Sequence, residues 1–198
     1  MKGICYLICA GEQSALNFTP TEKDFVIAVD GGYEYAKKCG MRVDVALGDF
    51  DSLGYVPQGE TIVLNPIKDD TDTFVAIAEG WERNYRRFEL YSALGGRLSH
   101  TLANVNCLKW IKARGGHARI ISDGTSLEII DGVKEFPSGG YLSLIALTST
   151  AEVLIENCKY SGKFTLTDKD SLGVSNEPYD NAKVQVVSGE VLAVSERE

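Results

Sequence analysis

No apolar run in the sequence approaches the length needed to cross a bilayer, which argues against an integral membrane protein. No two cysteines stand at the two-residue spacing of a zinc knuckle or redox pair. The five present (Cys5, Cys9, Cys39, Cys107 and Cys158) are odd in number and are read as reduced core thiols. Positive charge is the scarcer sign, with 20 Lys and Arg against 28 Asp and Glu and a net charge of −8. Nucleic-acid binding depends on Lys and Arg neutralising phosphates, so this balance argues against such a partner. Internal repeats and low-complexity segments are also absent.

What is present is a globular composition: 198 residues, 44% hydrophobic and 24% charged, enough to bury a core without disulfides. The N-terminal stretch Met1 to Gly11 carries one positive charge and a short apolar segment that contains Tyr6 and runs into Gly11-Glu12. It is read as a buried first strand rather than a signal peptide, with a cytoplasmic location expected.

Apolar, β-prone runs recur at Gly3 to Ala10, Phe25 to Val29, Val43 to Leu47, Thr61 to Leu64, Phe88 to Ser92 and Ala118 to Ser122. Helical periodicity fills Gly32 to Cys39, Asp72 to Asn84 and His100 to Ala113. This alternation predicts an α/β fold with a parallel sheet covered by helices. Beyond about Asp123 the texture changes to closely spaced strands at Leu127 to Ile130, Tyr141 to Leu147, Val153 to Ile155, Phe164 to Leu166, Val184 to Val187 and Val191 to Val194. Ser138-Gly139-Gly140 and Ser188-Gly189-Glu190 read as turns between them. The second part is therefore expected to be a small antiparallel β-domain, with the boundary near 121 to 126.

Chemistry concentrates at the expected strand ends. Gly48-Asp49-Phe50-Asp51-Ser52 follows a buried strand, and residues two apart in an extended chain point to one side, so Asp49 and Asp51 are expected to share a cation. Two carboxylates about 5 Å apart repel by roughly 3 kcal/mol at an effective dielectric near 20, which a divalent ion would remove. Hard oxygen ligands favour Mg²⁺ or Ca²⁺, and Mg²⁺ combines one or two carboxylates with substrate phosphates.

An isolated D-x-D is more often a solvated turn, but further clusters accompany this one. Asp30-Gly31-Gly32 ends another apolar run, where glycines let backbone approach a ligand. Lys68-Asp69-Asp70-Thr71-Asp72-Thr73 precedes a helix. Capping explains one or two of those acids, but not three with a lysine suited to a phosphate. Gly95-Gly96-Arg97-Leu98-Ser99-His100 precedes the next helix and offers backbone amides, Arg97 and a helix N-terminus to a polyphosphate. Standing alone, Arg97 would be a surface ion-pair residue and His100 an ordinary helix residue.

Together these motifs resemble the thiamine pyrophosphokinase family: D-G-G at Asp30 to Gly32, G-D-F-D-S at Gly48 to Ser52, K-D-x-T-D at Lys68 to Asp72 and G-G-R-x-x-H at Gly95 to His100. The resemblance continues through Tyr141 to Ile145, Lys159-Tyr160 and Gly173 to Glu177. One position departs from the family pattern, which usually reads G-G-R-x-D-H where this chain has Ser99.

The resemblance implies an α/β nucleotide-binding catalytic domain over 1–122 and a C-terminal β-sandwich over 123–198 that helps bind thiamine, with active sites across a homodimer. The implied reaction is ATP plus thiamine giving AMP and thiamine diphosphate, with the thiamine alcohol attacking the β-phosphorus. By resemblance Asp49, Asp51 and Asp72 are Mg²⁺ ligands and, with Arg97, catalytic. Asp30, Gly31, Gly32, Lys68, Asp69, Thr71, Gly96, Arg97 and His100 face ATP, while Tyr160, Ser175 and Asn176 face thiamine. Two rival readings are a pyrophosphokinase or kinase acting on another small alcohol, and a catalytically weak thiamine- or nucleotide-binding regulator.

Overall fold

A strand covered by helices on both faces must be apolar along its whole length, and the first strands meet that requirement. All four residues of β1 (Cys5–Ile8) and β3 (Val45–Gly48) are buried, as are four of the five in β2 (Phe25–Val29). A computed structural model describes residues 2–67 and 69–197 of the chain. Lys68 therefore lies outside the described residues. The fold is mixed α/β with a large sheet, and the chain divides into two units, Met1–Asp123 and Gly124–Glu198.

In the first unit β4 (Thr61–Val63), β5 (Arg87–Tyr91) and β6 (His117–Ser122) complete the order β4-β3-β2-β1-β5-β6. Every neighbouring pair in that order is parallel. The chain builds outward from β1 on one side through β4, then returns to add β5 and β6 on the other. This reversal of strand order opens a crevice at the carboxyl ends of β1 and β5, the usual ligand position in open α/β sheets.

The connections are α1 (Gly32–Lys38), α2 (Asp72–Glu82) and α3 (Leu98–Ala113). Asn104, Cys107, Leu108 and Ile111 form the buried stripe of α3 at the spacing of one helical face. Gly80 lets α2 lie close to the sheet, because a Cβ there would stand 2.8 Å from Cys5 Sγ and 2.8 Å from the Phe88 ring.

In the second unit β7 (Thr125–Phe136), β8 (Tyr141–Ala146), β9 (Thr150–Cys158), β10 (Gly162–Thr167) and β11 (Pro178–Glu196) pair antiparallel. The two short strands expected at Val184 to Val187 and Val191 to Val194 are one 19-residue strand. Ser188-Gly189-Glu190 is accordingly not a turn but part of an irregularity within β11. Val186 pairs Gly132 and Val191 pairs Ile130, so the extra residues bulge from the ladder, with Gly189 at φ +80°. Across this bulge β11 exchanges β9 for β8 as its neighbour, and both halves send side chains into one core with Leu142, Leu144, Val153 and Ile155.

The cysteines are all free, as expected, but Cys39 is exposed and so is no core thiol; the other four are buried. Cys39 caps the C-terminus of α1, where the helix runs out to solvent.

Asp24 fastens the entrance of β2 to β1. Its Oδ1 accepts the Ile4 N–H at 2.7 Å, and its Oδ2 accepts the Thr21 N–H at 2.8 Å and hydroxyl at 2.7 Å. Burial pushes this carboxyl upward, but those three hydrogen bonds and the Arg42 charge outweigh it and hold the pKa below the ordinary value. A group depressed in the folded state contributes stability above its unfolded pKa and loses it as pH falls through the folded pKa. Asp24→Asn is therefore expected to lower Tm at pH 7 by roughly 2–4 °C, about 1 kcal/mol. Thermal unfolding should show that difference shrinking as pH drops below about 4, the ordinary carboxyl range; a difference independent of pH would contradict the carboxylate's role.

Candidate active site

A cavity of about 330 Å³ opens at the carboxyl end of the first unit's sheet. Its walls come from the segments after β1, β2, β3 and β5 and from the first turns of α2 and α3. Three residues at these strand ends hold a left-handed backbone without being glycine: Asp30 at φ +47°, Phe50 at φ +56° and Ser92 at φ +52°. Such conformations cost of order 1–3 kcal/mol and gather where surrounding structure holds a functional group in place.

The first of these turns sets Asp30. Its N–H donates to Leu47 O at 2.9 Å, tying the end of β2 to β3. Its carboxylate reaches over Gly48, where a Cβ would lie 1.8 Å from Asp30 Oδ1, so no larger residue allows that approach. Gly32 is fixed similarly, since its Cβ would stand 2.0 Å from Ile8 O as α1 crosses the end of β1.

Asp49 and Asp51 line the same cavity, but not through strand alternation. The backbone between them is no longer extended: Phe50 is buried in the left-handed turn, and Asp49 Oδ1 accepts the Asp51 N–H at 3.2 Å. An Asx-type turn, rather than a continuing strand, therefore brings the two carboxylates to one wall. Asp72 lines the same cavity from the first turn of α2, which Thr71 caps by accepting the Phe74 N–H at 3.2 Å.

Crowding of negative charge has a visible consequence. Burial, a hydrogen bond with Asp72 and the charges of Asp72 and Asp49 push the Asp30 pKa up to about 7, against a smaller lowering from the Phe50 N–H. Asp30 Oδ1 is buried and makes no hydrogen bond among the described residues. Buried carboxylate oxygens facing one another are a hard donor set that a divalent cation satisfies better than a proton does. Among the described residues no three acidic, histidine or cysteine side chains stand together as a ready-made metal cage. The donor set thus fits an ion that takes one or two carboxylates and completes its shell with ligand oxygens, as Mg²⁺ does.

Another part of the cavity lining carries the opposite electrostatic sense. Gly95 and Gly96 adopt φ +76° and +63°, and a Cβ on Gly95 would lie 2.6 Å from Glu12 Cβ. They turn the chain into α3, whose first turn has no acidic residue and whose N-terminal N–H groups present partial positive charge. Arg97 precedes that helix, and His100 follows within its first turn. Asn104, one turn on, is buried and donates from Nδ2 to Ala93 O at 2.7 Å, holding the loop against the helix.

The model of the family described as "Thiamin pyrophosphokinase, catalytic domain" matches residues 19–120, which include Asp30, Asp49, Asp51, Asp72 and Arg97. The chain belongs to the thiamin pyrophosphokinase family. The thiamine pyrophosphokinase of Bacillus subtilis has a similar structure at a TM-score of 0.83 and 20% identity, over 99% of this chain and 100% of that one. That of Geobacillus thermodenitrificans gives 0.81 at 22%, covering 99% and 98%. The thiamin pyrophosphokinase of Candida albicans gives 0.76 at 16%, covering 100% and 90%. These likenesses show the fold. Comparison with curated proteins returns no match.

Of the residues the family motifs single out, Asp30, Asp49, Asp51, Thr71, Asp72, Gly96, Arg97 and His100 line the one cavity. Gly31 and Gly32 do not; they shape the start of α1 behind it. Asp69 is exposed and outside the wall. Tyr160 and Asn176 line a separate, largely apolar cavity of about 210 Å³ in the second unit, between β9, β10 and the loop 172–176. Ser175 is not in its lining; its left-handed backbone at φ +58° is held by a hydrogen bond from its N–H to Ser143 Oγ at 3.0 Å. Asn176 is the organising residue there, accepting the Tyr160 N–H at 3.0 Å and donating to Tyr160 O at 2.9 Å.

Cys9, Gly11, Ser52, Thr73, Ser92 and Asn104 also line the first cavity and were not expected there. Ser52 and Thr73 stand within the quoted motif segments, and Asn104 carries a signal as a polar residue on the helical face of His100. Burial pushes the Cys9 thiol up to about 12, so it stays protonated and packs as a small apolar group.

Gly48→Ala tests the close approach that positions Asp30. It is expected to destabilise the protein by about 2 kcal/mol in chemical denaturation, since either Asp30 or the β3 turn must move. Unchanged stability would mean that the carboxylate does not rest on this glycine.

Proposed function

We propose that the protein is an ATP-dependent thiamine pyrophosphokinase, transferring the pyrophosphoryl group of ATP to the hydroxyl of thiamine with release of AMP. The observation that carries this reading is the convergence, in a chain of this family, of Asp30, Asp49, Asp51 and Asp72 with Arg97 and the α3 N-terminus on one cavity.

In this reading residues 1–122 form the parallel-sheet catalytic domain that holds ATP, and 123–198 form a β-sandwich that holds thiamine. Asp49, Asp51 and Asp72 are the candidate Mg²⁺ ligands, one or two of them binding the ion directly and phosphate oxygens supplying the rest of its shell. Bound there, the ion neutralises polyphosphate charge and eases departure of AMP. An acidic protein of net charge −8 needs such a cation before it can accept a triphosphate.

The chain's own groups do the rest. Arg97 and the N–H groups opening α3 hold the phosphate oxygens and stabilise charge that builds during transfer. Lys68 belongs to the same motif set and adds a point charge. Asp51 or Asp72 accepts the proton of the attacking alcohol, both standing on the acidic wall. Thiamine carries a positive thiazolium, which suits an acidic site, and its pyrimidine stacks on Tyr160 while Asn176 fixes that loop. The active sites lie across a homodimer, and the enzyme works in the cytoplasm. Among the described residues no helix is long and apolar enough to cross a membrane.

The purified protein, given ATP, thiamine and Mg²⁺, is expected to form AMP and thiamine diphosphate. EDTA should abolish formation, and Asp51→Ala should reduce kcat at least 100-fold. AMP release with another small alcohol but not thiamine would keep the site and change the substrate. ATP binding without turnover on any alcohol would favour a regulatory binding protein.

A further inference from the structure

Ser92 sits directly after β5, at the carboxyl edge where the strand order reverses, and lines the first cavity. It is 1% exposed and has a left-handed backbone at φ +52°, a conformation that glycine takes freely and serine does not. Its main chain is fully engaged: Ser92 O accepts the Gly11 N–H at 2.8 Å, and its N–H donates to Ser14 Oγ at 3.4 Å. Its side-chain hydroxyl, by contrast, is buried and makes no hydrogen bond among the described residues.

Two unfavourable features therefore coincide on one residue. A glycine would relieve the backbone and remove the unsatisfied hydroxyl together, so nothing among the described residues accounts for serine here. The rest of the cavity lining narrows what the hydroxyl would serve. The acidic wall offers acceptors and the α3 wall offers charged or backbone donors, whereas Ser92 is a neutral side-chain donor that can swing between staggered rotamers. A phosphate oxygen entering the cavity would supply the acceptor it lacks.

We propose that the Ser92 hydroxyl is a nucleotide-binding group that donates a hydrogen bond to an oxygen of the bound polyphosphate. This assignment rests on the reading of the cavity as an ATP site and adds a residue to it.

The test measures calorimetric binding of a non-hydrolysable ATP analogue and of inorganic tripolyphosphate, each with Mg²⁺, to the full chain and to Ser92→Gly and Ser92→Ala. Thermal unfolding of each protein is followed alongside. Both variants are expected to bind both ligands about tenfold more weakly, equivalent to about 1.4 kcal/mol. Ser92→Gly should unfold at the same temperature as the parent or higher, because glycine accepts the backbone conformation.

A merely structural serine would shift Tm and leave both dissociation constants unchanged, which overturns the proposal. Weakened binding of the ATP analogue with unchanged tripolyphosphate binding also overturns it, since the contact would then lie elsewhere on the nucleotide. A parent protein that binds neither ligand overturns the reading of the cavity itself, and the Ser92 assignment with it.

Discussion

Like charges gathered on one partly buried cavity set the terms for the rest of the first unit. Burial first, and then a hydrogen bond with Asp72 and the charges of Asp72 and Asp49, push the Asp30 carboxyl up to about 7, and Asp51 lines the same cavity. Isolated, such a cluster would be relieved by side chains turning away to water. Here Gly48 leaves room only for a close approach by Asp30, Phe50 is buried in a left-handed turn between its neighbouring aspartates, and the Thr71 cap fixes the first turn that carries Asp72. The fold thereby keeps these carboxylates on one cavity, a form of preorganisation toward charged ligands.

The parallel sheet makes this possible. Because every strand of the first unit runs the same way, the segments that follow β1, β2, β3 and β5 emerge at one edge. Residues far apart in the chain, such as Asp30 and Arg97, thereby share one cavity. The second unit follows different rules. Its long β11 changes neighbours across a bulge at Gly189, so one strand serves two sets of partners around a single core.

Much of this was legible in the sequence for identifiable reasons. Buried parallel strands read as continuous apolar runs, so Phe25–Val29 matches its expected bounds, and α2 begins at Asp72 as the capping chemistry of Thr71 requires. The acidic motifs were visible because clusters of Asp, Gly, Lys and Arg at successive strand ends exceed what turns and helix caps require. What escaped were features set by tertiary structure. The left-handed turn at Phe50 replaced the extended geometry expected of Asp49 and Asp51, because a buried aromatic gives no local signal for that conformation. Ser188-Gly189-Glu190 has the composition of a turn, and only pairing on both sides of β11 makes it a bulge. Ser92 looked like the last residue of a strand, and its strain and unpartnered hydroxyl exist only in three dimensions.

The central claim is that the acidic wall and the α3 wall accept a polyphosphate only through a shared divalent cation. Thermal unfolding with a non-hydrolysable ATP analogue, with and without Mg²⁺, tests it directly, because a ligand at 100 times its Kd adds about 2.7 kcal/mol to folding stability. The account predicts a rise in Tm of several degrees when Mg²⁺ and the analogue are present together, and little change with the analogue in EDTA. An equal rise without any divalent ion would contradict it.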